Sequence, residues 1–438
     1  MIHSMRVCLL TLFALSASAA DVTFTRDVYP ILRAHCSGCH QAGEIGPMPL
    51  TTYAEARPWA AAIRQAVATR TMPPWHADAA TSHRIANARA LSDAEVRTIT
   101  NWADTGAKQG LAMNLKALEA ASPEGWRLGK PDLIVRVNGF KIPATGTVEY
   151  TFLVTPVDLK EDMWIEAAEW RIDKRQSLHH MNAFIRPPGS SYIADAPINT
   201  HYVASKNERG ARRPDELETT RRELLVGYEP GYRPIGWGEG RAKLLRKGSD
   251  IVFEMHYNTS GRELVDNSEL GIYFARTPPR ERVLSITPAD SKFAIPPGDG
   301  NYRSEARAQF TEPVKLISMQ PHMHLRGKDF RIDATYADGR HETLLNVPHY
   351  DFRWQTTYFL RDPLALPAGT TLEVVAHFDN SLNNPANPDP KQTVRWGDQS
   401  WEEMNIGFLE VAFPAAANAE VAKLSDTPKP APGAATSK

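Results

Sequence analysis

The chain has 438 residues, 42% hydrophobic, 23% charged and 9% aromatic, an ordinary soluble composition with room for roughly three domains. Lys and Arg number 50 against 51 Asp and Glu, so the basic excess of a nucleic-acid binder is missing and no nucleic-acid partner is expected. Three cysteines are too few for a disulfide-built scaffold, and 33 prolines against 27 glycines favour turns and short strands over long helices.

The opening MIHSMRVCLLTLFALSASAA predicts a signal peptide over residues 1–20. Arg6 gives a basic start, Val7 to Leu15 an apolar run, and Ala17-Ser18-Ala19 a small-residue cleavage pattern. The run is far shorter than the roughly 20 residues that span a bilayer, and no later run is long or apolar enough. Export to a bacterial periplasm, or secretion, without stable membrane insertion is the expectation. Cleavage removes Cys8 and leaves Cys36 and Cys39.

Those two cysteines stand in Cys36-Ser37-Gly38-Cys39-His40, the attachment pattern of c-type haem. Two thioethers would hold one haem covalently, and His40 would be the proximal iron ligand. A zinc or redox CxxC would need further cysteines or a thioredoxin-like context, and neither is available. Around the motif, Val28, Ile31 and Leu32 predict a short helical face. Ser92-Asp93-Ala94-Glu95 predicts a capping box opening a helix, with Val96, Ile99, Trp102 and Ala103 on one side and Gly106 at its end. The sixth iron ligand is expected first at Met72, in a Met-Pro-Pro stretch that resembles the axial-ligand loop of many bacterial cytochromes c. Met48 is the rival, with His76 and His83 behind it. This gives a small all-α cytochrome c domain over 21–112 and a linker at 113–125.

From Trp126 onward, short alternating runs such as Thr147–Val154, Ile251–Tyr257, Val314–Met319 and Leu372–Phe378 predict antiparallel sheets. A weak repeat supports two copies of one plan. Leu245 to Tyr257 and Leu366 to Phe378 share Leu, Gly, an aliphatic residue, His and an aromatic at the same spacing. The expected fold is therefore multidomain: the cytochrome followed by two all-β antiparallel sandwich domains, jelly-roll-like, at 126–275 and 276–415. An Ala/Pro-rich tail at 416–438 is expected to be disordered.

Each β half carries a histidine pair. His322-Met323-His324 ends an alternating run, where residues two apart face the same side and both imidazoles can reach one metal. His179 and His180 are adjacent and would point to opposite faces, so joint ligation requires a bulge or a strand end. His256 ends a strand in the same half, and Met404 offers a soft thioether to the second pair. Imidazoles with one thioether suit copper better than zinc, because sulfur stabilises Cu(I).

At this point the residues resemble a known family, the copper type II ascorbate-dependent monooxygenases, which include peptidylglycine α-hydroxylating monooxygenase and dopamine β-hydroxylase. The matching pieces are His179-His180-Met181, the His-Tyr-Asn at His256, His322-Met323-His324-Leu325, Tyr350-Asp351-Phe352-Arg353-Trp354-Gln355 and Trp401-Glu402-Glu403-Met404, in the family's order. The resemblance covers most of residues 150–412 and implies two copper ions. His179, His180 and His256 would hold the electron-transfer copper; His322, His324 and Met404 would hold the catalytic copper that activates O2. The chain departs from the family in having no cysteine left for disulfides and in carrying a haem. His349 and His377 lack family counterparts and are read as structural or supporting.

The expected function is a copper-dependent monooxygenase that hydroxylates a C–H bond of a small organic substrate with O2. Haem would relay electrons from a periplasmic donor to the coppers. The alternative is a non-enzymatic periplasmic electron-transfer or copper-handling protein using the same ligands.

Overall fold

A computed structural model describes residues 21–111, 125–203, 223–231, 234–417 and 419–426. The expected signal peptide and nearly all of the expected linker lie outside them. Strand makes up 39% and helix 12%, and among the described residues every helix falls in the N-terminal region.

The helices are α1 (Tyr29–His35), α2 (Tyr53–Ala56), α3 (Ala60–Ala68), α4 (Ala79–Ser82) and α5 (Asp93–Asp104). The capping box is present: Glu95 N donates to Ser92 Oγ at 3.2 Å and Ser92 N donates to the Glu95 carboxylate at 2.7 Å. Gly106, at φ +93°, turns the chain just beyond α5, where the left-handed region favours glycine. Ile99 and Trp102 bury against Phe24, Val28 and Leu32, which closes a small helical core. Between α3 and α5, however, the chain leaves that core. Ala77 and Ile85 are buried in the C-terminal β core instead, so the 21–112 region is not closed on itself.

Ten strands frame the sites: β1 (Thr151–Pro156), β2 (Leu178–Arg186), β3 (Glu223–Tyr228), β4 (Arg241–Leu245), β5 (Asp250–Tyr257), β6 (Glu281–Ile286), β7 (Val314–His322), β8 (His341–Val347), β9 (Tyr358–Leu366) and β10 (Asn405–Pro414). One five-stranded sheet has β5 in the middle, between β1 and β2, with β3 beyond β2. A second has Thr371–Phe378 in the middle, between Tyr302–Phe310 and Gly327–Thr335, with β8 beyond the latter. The two strands of the repeat are thus the middle strands of two separate sheets.

The largest sheet runs through both halves, in the order Leu133–Arg136, Glu269–Phe274, Met163–Arg171, β4, β6, β10, β7, β9. Its joint is a short parallel pairing in which Glu281 faces Arg241 and Arg282 faces Ala242. A continuous sheet therefore crosses the boundary expected at 275/276. At this joint Lys243 is fully buried, 3.0 Å from Glu410 and 3.4 Å from Glu223, and donates to Leu224 O at 2.9 Å.

The expected disordered tail needs correction. Ala422–Asp426 is a strand on the open edge of Tyr302–Phe310. Val421 and Ala422 are buried there, and Thr311 N donates to Val421 O at 2.9 Å, so the edge's free ladder groups and a short apolar patch hold the segment. Residues 427–438 lie outside the described residues.

Candidate metal centre

The first histidine set grows out of strand register. Across β2 and β5, His256 faces His180 but Tyr257 faces Leu178, so His179 is the extra residue of a β-bulge. The bulge turns His179 back toward its neighbour, and three imidazoles meet. Their ring centroids are 5.1 Å apart in all three pairs, and one nitrogen from each lies within 4.8 Å of the others. A metal about 2 Å from each of three tetrahedrally placed ring nitrogens would hold the rings about 5 Å apart, so the triangle has the size of a cation site.

Its polar atoms fit the same reading. His179 Nδ1 and His180 Nδ1 are 2.9 Å apart, and His256 Nδ1 and His180 Nε2 are buried without a hydrogen-bond partner. Burial pushes the His179 imidazole down to about 4 and that of His256 to about 3, and holds His180 well below its ordinary value. All three are neutral at pH 7, the state that ligates metals.

The second set stands at the end of β7. The His322 and His324 rings are 5.2 Å apart and nearly perpendicular. His322 Nδ1 lies 2.6 Å from Gln355 Oε1 and His324 Nδ1 3.2 Å from the Glu402 carbonyl. Each oxygen can only accept, so each Nδ1 carries the proton and each Nε2 keeps its lone pair. His324 Nε2 is buried without a partner. The Glu403 carboxylate is pushed up to about 8 by burial; it accepts from His324 N at 2.8 Å and Arg326 N at 2.6 Å, fixing the turn that carries His324.

Met404 precedes β10. The β7–β10 register pairs His322 with Ile406, so His322, His324 and Met404 occupy the same end of one ladder. Met404 is 7% exposed and packs in a cluster with Phe152, Phe184 and Val252 of the N-terminal half. His180 and His256 share the β-sheet face of Phe184 and Val252, by the period-two rule. The two histidine sets therefore face each other across the contact between the halves.

Two rings span the space between them. Tyr150, 2% exposed, stacks on His256 at 4.4 Å and approaches His180 at 5.4 Å and His324 at 6.3 Å. Phe352 lies 5.2 Å from His179, 6.2 Å from His256 and 5.9 Å from His324. Sequence reasoning gave neither ring a role, nor did it give one to Gln355 or Glu403. Phe352, Gln355 and Glu403 lie inside the Tyr350–Gln355 and Trp401–Met404 motifs. Tyr150 had one usable signal: it continues the β1 register to the position opposite His256.

At the Cys36–His40 turn, Cys39 N and His40 N both donate to Cys36 O, at 3.1 and 2.9 Å, which gathers the three side chains on one turn after α1. His40 Nδ1 lies 3.0 Å from the Met48 carbonyl and so carries the proton, leaving Nε2 for a ligand. Burial pushes the Cys36 thiol up to about 12, which disfavours a thiolate metal site. These features fit thioether attachment and a proximal histidine. Met72 is 37% exposed, while Met48 is partly buried against the helical core. His76 lines a narrow crevice with Asp351 and Trp354, His83 is exposed, and His377 lies 2.7 Å from Asp329. The turn docks on the β region: a Cβ at Gly231 would come within 3.2 Å of Cys39 Sγ, and Arg175 pairs with Glu44 at 3.2 Å.

No family model matches the chain, and no curated protein matches it. Among solved structures, the VP2 subviral particle of infectious bursal disease virus matches at 12% identity and a TM-score of 0.20, covering 64% of this chain and 59% of that one. A structure of the Gt strain of the same virus matches at 13% identity and 0.18, over the same shares. The chain thus spans 59% of the length of these viral proteins. Likeness at these scores carries no information on function.

Proposed function

We propose that this chain is an exported monooxygenase built from a small cytochrome c region and two copper-binding β-sandwich halves. It inserts one atom of O2 into a C–H bond of a small organic substrate. Four buried imidazoles and the half-buried His179, in two facing sets, carry this reading, because His256 Nδ1 and His324 Nε2 have no partner in the protein. His179, His180 and His256 would hold one copper, and His322, His324 and Met404 the other. When bound, copper supplies one-electron redox chemistry and O2 activation, and haem supplies a one-electron relay.

The chain's own residues do the rest. Gln355 and the Glu402 carbonyl orient His322 and His324 through their Nδ1 protons. Tyr150 and Phe352 exclude water between the two sets. The Met48 carbonyl accepts from His40 Nδ1, so His40 would hold the haem iron through Nε2, with Met72 the proposed second iron ligand. Hydroxylation with O2 takes two electrons and two protons and releases water; the electrons come from a periplasmic donor.

One observation favours a second reading, a copper-handling or electron-transfer protein: buried Tyr150 fills the space between the sets. One experiment separates the two. Copper-loaded, haem-bearing protein is reduced, then incubated with isotopically labelled O2 and a bacterial metabolite extract. A product carrying one labelled oxygen supports the monooxygenase. Two bound coppers with no labelled product would establish the second reading.

A further inference from the structure

Residues 78–87 belong in sequence to the helical region, yet they grip the two strands that flank the loop between β8 and β9. On the β8 side, Asp78 N donates to Asn346 O at 2.9 Å, and the Asp78 carboxylate accepts from Asn346 Nδ2 at 2.7 Å. On the β9 side residues 84–87 lie against the strand through one antiparallel bridge and its flanking hydrogen bonds. Ile85 bridges to Leu360, Arg361 N donates to Arg84 O at 2.8 Å, and Ala86 N donates to Phe359 O at 2.7 Å. Asn87 completes the grip: Nδ2 donates to Thr357 O at 2.8 Å and Oδ1 accepts from Phe359 N at 3.0 Å. β9 is the terminal strand of the largest sheet, so this segment covers an edge that would otherwise be open.

The gripped loop bears on both histidine sets. Phe352 contacts the rings of His179, His256 and His324. Gln355 holds His322 Nδ1, and Tyr350 Oη donates to Met323 O at 2.8 Å. Thr357, held by Asn87, is two residues from Gln355. Orientation of His322 thus depends on a short covalent path from an anchor supplied by the N-terminal region.

We propose that residues 78–87, with Asn87 at their centre, are a positioning element for the His322/His324 site. By fixing both ends of the loop they keep Gln355 on His322 Nδ1 and the His322 Nε2 lone pair turned to the ligand. The N-terminal region therefore helps to build the centre. This rests on the metal-binding reading above, and the test separates the two.

Asn87→Ala is made in the full-length, haem-bearing protein and read in two ways. Hydrogen exchange of residues 350–357 is measured without copper, and copper is then titrated against a competing chelator. Exchange in 350–357 is expected to accelerate, and affinity at His322/His324 to fall about tenfold, with the His179/His180/His256 site unchanged. Asn87→Asp keeps the acceptor for Phe359 N and loses the donor to Thr357 O, so it falls between. Ser92→Ala, which removes the α5 cap in the same region, leaves both readouts unmoved. Unchanged exchange in Asn87→Ala, or equal weakening of both copper sites, would overturn the proposal. If the unaltered protein binds no copper, the metal reading falls, and the exchange result alone decides whether the segment positions the loop.

Discussion

His324 has one nitrogen committed to the Glu402 carbonyl and the other buried with nothing to meet it. Such an orphan costs about 1–3 kcal/mol, a cost that a bound cation removes. His322 is held from behind by Gln355 at 2.6 Å. Gln355→Leu removes that acceptor, and copper affinity at this site is expected to fall about 10- to 100-fold in a competition titration, with the other site intact. Burial also sets a pH dependence. The folded chain keeps His179 and His256 at about 4 and about 3, whereas an unfolded histidine titrates near 6.5. Below that value the unfolded state binds more protons. Stability of the copper-free protein is therefore expected to be level above about pH 6.5 and to drop as pH falls toward about 3. Urea midpoints measured across this range check it; a flat profile would contradict the burial argument.

The decisive element is the bulge in β2. A regular strand would send His179 and His180 to opposite faces, and the sequence could state only that condition. The register skip opposite Tyr257 meets it. α5 is the opposite case, since its start is written locally in Ser92 and Glu95. Ser92→Ala is expected to cost about 1 kcal/mol, seen as a lower thermal midpoint. The strand at Ala422–Asp426 lay in a region whose composition reads as tail, because its stability comes from a distant edge.

Across the whole molecule, the parallel pairing of β4 with β6 joins the halves, and Lys243 is buried beside it between Glu223 and Glu410. Removing the cation leaves the Glu410 carboxylate with only the neutral donors Trp237 and Ser318, and Glu223 with Arg282 at 4.0 Å. Lys243→Met is therefore expected to destabilise the protein by about 3–5 kcal/mol in urea unfolding, because uncompensated buried charge costs more than the added apolar contact returns. A shift under about 1 kcal/mol would mean the carboxylates are already neutral, in line with burial pushing the Glu223 carboxyl up. The helical region is tied in as well, through Arg175–Glu44 on one side and residues 78–87 on the other.

The sequence by itself determined the helix face around Leu32, the α5 cap, the alternating strands, the repeat, and the residue types that could ligate metal or haem. These follow from spacing along the chain, where periods of 2 and 3.6 decide which side chains share a face. Tertiary structure alone decided that the two histidine sets face each other, that Tyr150 and Phe352 stand between them, and that one sheet crosses both halves. It also took residues 78–87 out of the helical core and laid them against β8 and β9. Those outcomes depend on pairings between segments far apart in sequence, and on a one-residue bulge that turns His179 toward the centre.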